Sequence, residues 1–143
     1  MYLLDTNVIS GLRKSRRLAD ANVAAWVAAQ HADELFVSVV TILEIELGIA
    51  RLERRDREQA ARLLAWLQSD VLPSFADRVL PIGLREARRA ARLHVPDPRP
   101  ERDAYLAATA LTHDLTVVTR NVADFEPTGA AVLNPWLAGG PKG

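Results

Sequence analysis

Short runs of apolar residues, none of them alternating with polar ones, recur along the chain between stretches of helical periodicity. Such runs are typical of strands that are buried on both faces of a parallel sheet. The sequence predicts strands at 2–4, 35–38, 79–81, 115–119 and 130–133, and helices at 6–12, 21–29, 41–52, 56–67, 84–93 and 103–113. This alternation predicts an α/β fold: a three-layer α/β/α sandwich around a central, mostly parallel sheet of four to five strands.

The length of 143 residues suits one domain with a sizeable core, and 49% hydrophobic with 25% charged residues is ordinary for a globular protein. We expect a single domain at 1–137 and a flexible, glycine-rich tail at 138–143. The sequence has no apolar run of about 18 residues, no secretion signal and no cysteine. These features predict a cytoplasmic protein that does not associate with a membrane.

Two carboxylates occupy positions where a purely structural design would place apolar residues. Asp5 ends the first predicted strand, and ligands bind at the carboxyl ends of strands in open α/β sheets. Asp103 shares a helical stripe with Leu106, Ala107, Ala110 and Leu111, which predicts a carboxylate that faces the core. The alternatives are a helix N-cap for Asp5 and favourable placement in the first helical turn for Asp103.

Glu44 is a third candidate, because it lies on a predicted helix beside Val40, Leu47 and Gly48, on a mostly apolar face. Its alternative role is in a capping box, with Thr41 as the N-cap. Arg51, two turns further on, is a candidate ion-pair partner for it.

Two further oxygen donors, Asn121 and Asp124, follow the strand predicted at 115–119, in a segment that we expect to form a turn. Converging acids repel one another unless a cation lies between them. A cluster of oxygen ligands without histidine or cysteine suits Mg²⁺ or Mn²⁺ rather than zinc. Such an ion supports the hydrolysis of phosphodiester bonds. The sequence lacks the glycine-rich signatures of nucleoside triphosphate and dinucleotide sites.

Four motifs, taken in order, resemble the PIN domain, and specifically the VapC/FitB-like toxins of type II toxin–antitoxin pairs. They are Leu3-Leu4-Asp5-Thr6-Asn7, the segment from Thr41 to Gly48, the segment from Asp103 to Ala110, and Thr119-Arg120-Asn121 with Asp124-Phe125. The resemblance spans nearly the whole chain, up to Asn134-Pro135-Trp136.

The resemblance implies a Mg²⁺- or Mn²⁺-dependent endoribonuclease that cuts structured RNA such as tRNA or rRNA. It implies that Asp5, Glu44 and Asp103 hold the metal and act in catalysis, with Asp124, or alternatively Asn121, as the fourth group. Thr6, Thr119 and Asn121 would support the site. The implied partners are RNA, a second copy of the chain, and an antitoxin whose C-terminal segment enters the acidic groove. A higher oligomer formed with the antitoxin would bind operator DNA through the antitoxin.

Basic residues form two clusters in a chain whose 18 basic and 18 acidic residues cancel. Arg85, Arg88, Arg89 and Arg92 share one helical stripe, and Arg13, Lys14, Arg16 and Arg17 follow the first predicted helix. The stripe is a candidate RNA contact through phosphate groups. Its alternatives are a solvated helix face and a surface that pairs with the antitoxin. Trp66 and the leucines beside it are a candidate dimer face.

Three other functions remain open on the sequence. A haloacid-dehalogenase-like phosphatase would use Asp5 as a nucleophile, but it needs a second aspartate where this chain has Asn7. A non-catalytic PIN-like binding or regulatory protein would use the acids only as helix caps. A structure-specific DNA nuclease would need the same metal site, and no motif here reads the 2′-hydroxyl of RNA.

Overall fold

The computed structural model, which describes residues 1–13 and 18–137, contains a five-stranded parallel sheet. The strands are β1 (Tyr2–Leu4), β2 (Leu35–Ser38), β3 (Val79–Leu80), β4 (Thr116–Val118) and β5 (Val132–Leu133). Their order in the sheet is β3-β2-β1-β4-β5, and every neighbouring pair is parallel. All five predicted strands are confirmed, and the run at 130–133 is an edge strand.

Eight α-helices lie within the described residues. They are α1 (Thr6–Arg13), α2 (Leu18–Ala28), α3 (Val39–Leu52), α4 (Arg57–Trp66), α5 (Leu72–Ser74), α6 (Leu84–Leu93), α7 (Glu101–His113) and α8 (Val122–Phe125). The six predicted helices are confirmed with shifts at their ends. The predicted turn after β4 is wrong, because it contains the short helix α8.

Side chains that alternate along the central strands point into two separate cores, one on each side of the sheet. Leu4 and Val118 pack with residues of α1, α2, α3 and α4. Leu3 and Val117 pack with residues of α7 and with Phe125 of α8. A sheet with helices on both faces confirms the three-layer α/β/α sandwich. Within residues 1–13 and 18–137, no helix has the length and apolar character that crossing a membrane requires.

The start of α3 differs from the prediction. Ser38, not Thr41, is the N-cap, and its hydroxyl accepts a hydrogen bond of 3.0 Å from the amide of Val40. Thr41 lies inside the helix, fully buried, and its hydroxyl has no hydrogen-bond partner within the described part of the chain. The capping box with Thr41 is therefore wrong, and Glu44 is free of that role.

Two predictions fall outside the described residues. The basic cluster after α1 includes Lys14, Arg16 and Arg17, which the structure does not describe. The predicted tail at 138–143 likewise lies beyond the described residues. Arg13 is described, and its guanidinium lies 5.9 Å from the ring centroid of Trp66.

Candidate active site

The candidate site lies at the carboxyl ends of β1 and β4, the two neighbouring strands between which the chain order reverses. Asp5 follows β1 directly, and its amide donates 2.9 Å to the carbonyl of Val118 in β4. Thr119 follows β4 directly. Ligands of open α/β sheets bind at such a reversal point, because the loops diverge there and leave a crevice.

Asp5 is only 7% exposed, and its carboxylate accepts hydrogen bonds from three donors. Its Oδ1 accepts from the amide of Thr6 (2.7 Å), and its Oδ2 accepts from the Thr119 hydroxyl (2.8 Å) and from Asn7 Nδ2 (3.2 Å). Burial raises the pKa of Asp5, and the charge of Glu44 adds to the rise, whereas the three hydrogen bonds lower it. The net pKa is above the ordinary value, because burial disfavours the charged carboxylate more than the three hydrogen bonds stabilise it.

Asp5 is more than the N-cap that the sequence left as its alternative role. Its backbone carbonyl does accept from the amides of Val8 and Ile9, as in an N-cap residue. A cap side chain, however, bonds to the second or third helical amide. The carboxylate of Asp5 instead bonds to the first amide, to Asn7 Nδ2 and to the strand-end Thr119. It therefore faces the edge of the sheet.

Glu44 reaches the same place from α3. Its Oε1 accepts from the Thr6 hydroxyl at 2.9 Å, and its Oε2 accepts from Arg102 Nη1 at 3.3 Å. Thr6 thus links Glu44 to the loop that carries Asp5. The ion-pair partner is Arg102 of α7 rather than the predicted Arg51.

Asp103 lies half-buried in the first turn of α7, with Leu106, Ala107 and Ala110 of its stripe buried below it, as predicted. Burial raises its pKa to about 6, with further contributions from the negative charges of Asp5, Asp124 and Glu44, in that order. Four carboxylates that lie far apart in the sequence therefore interact electrostatically at one place.

Of the two candidates for the fourth group, Asp124 is near enough to Asp103 for its charge to act on that carboxyl. Asp124 is exposed on α8, and its charge acts on Asp103. Asn121 precedes α8, and its contact with the site is through its backbone amide, which donates 3.0 Å to the Thr119 hydroxyl. Thr119 consequently joins Asp5, Asn7 and the start of α8.

The four carboxylates do not form a closed ligand set. In the part of the chain that the structure describes, no three acidic or histidine side chains meet in a geometry that would hold one metal ion. Both oxygens of Glu44 already accept hydrogen bonds, from Thr6 and from Arg102. Like charges also favour separation. The donor chemistry, carboxylate oxygens without sulfur or imidazole, is of the kind that Mg²⁺ and Mn²⁺ prefer.

Two residues at the site were not singled out from the sequence. Asn7 is part of the first motif but had no assigned role, and its side chain bonds to Asp5, to Thr119 and, through Oδ1, to the amide of Arg120 (3.2 Å). Arg102 carries no signal except its place next to Asp103. Its partner Glu44 is 58 positions away in the sequence, and only the packing of α3 near α7 brings the two together.

A groove of about 260 Å³ opens beside Glu44 and Thr6 and continues between α1, α3 and α4. We call it the apolar groove, because its further walls are mainly aliphatic or aromatic: Ile45, Ile49, Leu52, Leu63 and Trp66, with Ser10, Gly48 and Arg55. Trp66, predicted as part of a dimer face, is half-buried, packs against the core on one side and lines this groove on the other. The four predicted arginines of α6 are not brought to the acids and line a separate groove with Thr112.

Comparison with known proteins agrees with this architecture. The family model described as the PIN domain matches residues 2–127. The chain is 37% identical to "VapC ribonuclease Y4jK" of Sinorhizobium fredii, over 95% of this chain and 98% of that one. It is 35% identical to "Toxin FitB" of Neisseria gonorrhoeae, over 95% and 99% of the two chains.

Among solved structures, a chain of FitAB bound to an IR36 DNA fragment superposes with a TM-score of 0.85 at 33% identity, over 96% of both chains. The PIN domain match, together with Asn7 at the position where haloacid-dehalogenase-like phosphatases need a second aspartate, argues against that alternative. The chain belongs to the PIN domain family.

Proposed function

We propose that this chain is the toxin of a type II toxin–antitoxin pair and a Mg²⁺- or Mn²⁺-dependent endoribonuclease that hydrolyses phosphodiester bonds of tRNA or rRNA. One observation carries the proposal: Thr6 links Asp5 at the end of β1 to Glu44 of α3 through two hydrogen bonds, and the charges of both carboxylates and of Asp124 act on Asp103 of α7. Four carboxylates in one field call for a cation. The names of the relatives, a VapC ribonuclease and a toxin, support RNA as the substrate.

In this proposal Asp5, Glu44, Asp103 and Asp124 hold the ion and are the catalytic groups. When bound, Mg²⁺ or Mn²⁺ lowers the pKa of a water molecule and stabilises charge on phosphate oxygens. The surrounding residues keep the carboxylates in place. Thr119 and Asn7 orient Asp5, Thr6 orients Glu44, and the backbone of Asn121 fixes the Thr119 hydroxyl. Hydrogen bonds of this kind set the direction in which a ligand oxygen points.

Mapping of cleaved ends in total RNA after induction of the protein tests the proposal. Wild type should produce new ends, and Asp5→Asn or Asp103→Asn should reduce them by at least about 100-fold, because each removes a ligand charge. Asp97→Asn is the matched control, since Asp97 is an exposed acid outside the cluster. Equal end profiles for wild type and Asp5→Asn would refute the nuclease assignment and favour the non-catalytic binding protein.

Cleavage assays with the purified protein distinguish the ribonuclease from the DNA nuclease. With Mn²⁺ present, a structured RNA should be cut and a DNA of the same sequence left intact, and a chelator should stop the reaction. Faster cleavage of the DNA would favour the DNA nuclease. Titration of Mn²⁺ into wild type and into Asp103→Asn reports on the site without any substrate.

We also propose that the apolar groove binds a segment of the cognate antitoxin. One end of this groove is acidic, at Glu44, and the remainder is mainly aliphatic or aromatic, including Ile49 and Trp66. An amphipathic segment with a basic side chain at one end matches both parts. The small protein encoded beside this chain should co-purify with it, and Leu52→Lys, at a half-buried groove position, should abolish co-purification while Arg62→Ala should not. Retention by Leu52→Lys, in a protein with an unchanged circular dichroism spectrum, would exclude this groove.

A homodimer completes the proposed assembly, which would bind operator DNA through the antitoxin. The FitAB structure includes a DNA fragment, which supports a DNA-binding complex. Exposed apolar residues that could form the dimer contact lie on α3, where Val39 and Leu43 are 38% and 55% exposed. They are one helical turn apart and therefore share a stripe.

A further inference from the structure

The four arginines of α6 form an unneutralised basic surface, which we call the arginine groove (Arg85, Arg88, Arg89, Arg92 and Thr112; about 320 Å³). All four arginines are exposed. None of them has a carboxylate within 4 Å among the described residues, where the ion pairs are Arg102–Glu44 and His113–Glu86. Arg85 and Arg89 reach Thr112 at 3.5 Å, and Arg88 and Arg92 have no contact of this kind within the described residues. The chain as a whole has a formal net charge of +0, so this positive charge is local.

The acid on α6 does not offset this charge, because the fold turns it inward. Glu86 is only 7% exposed, and its Oε1 accepts from the Gly83 amide (3.0 Å). Its Oε2 lies 2.9 Å from His113 Nε2. Hydrogen bonds from its own backbone amide, from His113 and from Gly83 hold the pKa of Glu86 below its usual value. The carboxylate is thus charged but engaged elsewhere.

The chemistry of the arginine groove favours a phosphate backbone over a protein. Protein interfaces also contain arginine, but around a centre of apolar and aromatic side chains, and the lining here is four guanidinium groups and a threonine. Arginine forks match phosphate oxygens, often with two hydrogen bonds. From Arg85 to Arg92 the stripe is about 10 Å long, which spans about three phosphates of one strand of a duplex.

The groove also lies in a defined position relative to the acids. Thr112, which two of these arginines contact, is in the last turn of α7 and lies about 14 Å along the helix from Asp103 in the first turn. The C-terminal half of α6 lies beside Glu101 and Tyr105, so the stripe runs from Thr112 back along α7 toward its first turn. We propose that the arginine groove is a second, non-catalytic RNA site that anchors the backbone of the substrate while another part of the same molecule is cut. This inference rests on the proposed ribonuclease function.

The test is binding without cleavage. Affinity for unfractionated tRNA is measured by fluorescence anisotropy across a series of KCl concentrations, in an Asp5→Asn background that removes a candidate catalytic acid. Arg88→Ala/Arg92→Ala is the informative variant, because neither side chain holds the fold together through a hydrogen bond or ion pair that the structure shows. Arg57→Ala/Arg62→Ala on α4 removes the same charge from another exposed helix and is the matched control.

We expect the α6 variant to bind about tenfold more weakly at 0.1 M salt and to lower the salt slope by about 2, one for each lost phosphate contact. The control should remain within about twofold of the parent. Equal losses in both variants would show a general effect of charge and overturn the proposal. Unchanged RNA affinity together with lost antitoxin binding would assign the groove to the antitoxin and also overturn it.

The experiments distinguish an error in the groove proposal from an error in the proposed nuclease function. If the arginine variant binds RNA normally while the protein without the Asp5 change still cleaves it, the groove proposal fails and the nuclease stands. If the arginine variant loses RNA affinity while no variant cleaves, the groove stands as an RNA site and the nuclease fails.

Discussion

Asp103 is half-buried and has three acidic neighbours. Its protonation therefore changes the free energy of unfolding with pH. Its pKa of about 6 lies above the ordinary value of 3.8, so the folded protein binds the proton more tightly than the unfolded chain. Stability contributed by this group is therefore present at low pH and declines as pH rises from about 4 to about 6. Asp5, whose pKa is also raised, contributes a decline of the same sign.

We predict that Asp103→Asn stabilises the chelator-treated protein at pH 7.5 by about 1–2 kcal/mol and has no effect near pH 4. The full difference between about 6 and 3.8 corresponds to about 3 kcal/mol, and partial solvent exposure reduces it. Urea unfolding at several pH values gives the comparison, with Asp97→Asn as the control. A variant less stable than wild type at pH 7.5 would contradict the electrostatic description of the cluster.

Arg102 gives a second prediction at the residue scale, because it donates a hydrogen bond to one oxygen of Glu44, a proposed metal ligand. Its Nη1 donates to Glu44 Oε2 at 3.3 Å, and it is 45% exposed. Removing a partly exposed ion pair changes a free energy by about 0.2–1 kcal/mol. We therefore expect Arg102→Ala to bind Mn²⁺ about two- to fivefold more tightly in calorimetric titration.

Arg102→Lys controls for charge in this experiment, since it keeps the cation but loses the planar fork. If a nearby positive charge alone weakens Mn²⁺ binding, this variant should match wild type. An Arg102→Ala protein that binds Mn²⁺ no more tightly than wild type would show that the ion pair does not compete with the metal.

Residues of the site differ in how far the sequence could predict them. Asp5 and Asp103 stand out because each is a carboxylate in an apolar pattern, at a strand end or on a buried helical stripe. Arg102 could not be predicted, because its role depends on the packing of α3 near α7, which no local pattern encodes. Asp124 lies on the short helix α8, in a segment whose sequence predicts a turn, so its position relative to the acids was not predictable.

At the level of elements, strand prediction succeeded because each strand is an apolar run buried on both faces, and this pattern is local. The ends of helices were predicted less well. Thr41 and Glu44 have the spacing of a capping box, but Ser38, three residues earlier, caps the helix at the end of β2. Both residues suit a cap, and the end of the strand decided between them.

This difference at α3 gives a prediction in which two hydroxyl deletions have opposite effects. Ser38→Ala should cost about 1 kcal/mol of unfolding free energy, since it removes the hydrogen bond to the Val40 amide. Thr41→Val should be neutral or stabilise by up to about 1 kcal/mol, because it replaces a buried hydroxyl that has no partner in the described structure. Urea midpoints at constant m-value measure both. A loss of stability in Thr41→Val equal to that in Ser38→Ala would restore the predicted cap.

At the scale of the whole molecule, charge is segregated although the total is zero. Acids gather at the carboxyl end of the sheet, and the arginines of α6 line a separate groove. Composition could not predict this arrangement, because it reports only the sum. An RNA that reaches both regions would be attracted to the arginine groove. At the acidic cluster it would need a cation to offset the repulsion of its phosphates, which is consistent with a metal-dependent site.

Self-association is the last property that belongs to the whole molecule, and the surface of α3 gives it a test. A single exposed apolar residue needs no explanation, but Val39 and Leu43 form a stripe with the half-buried Ile42 and Leu47 beside it. We predict that the free chain sediments as a dimer of about 31 kDa, twice its 15.7 kDa. Leu43→Glu should shift it to the monomer mass, because a buried unpaired charge opposes the contact. Leu84→Glu is the matched control, since Leu84 is 76% exposed and lies on α6, away from this stripe. A dimer that persists in Leu43→Glu, or one that is lost equally in both variants, would place the contact elsewhere.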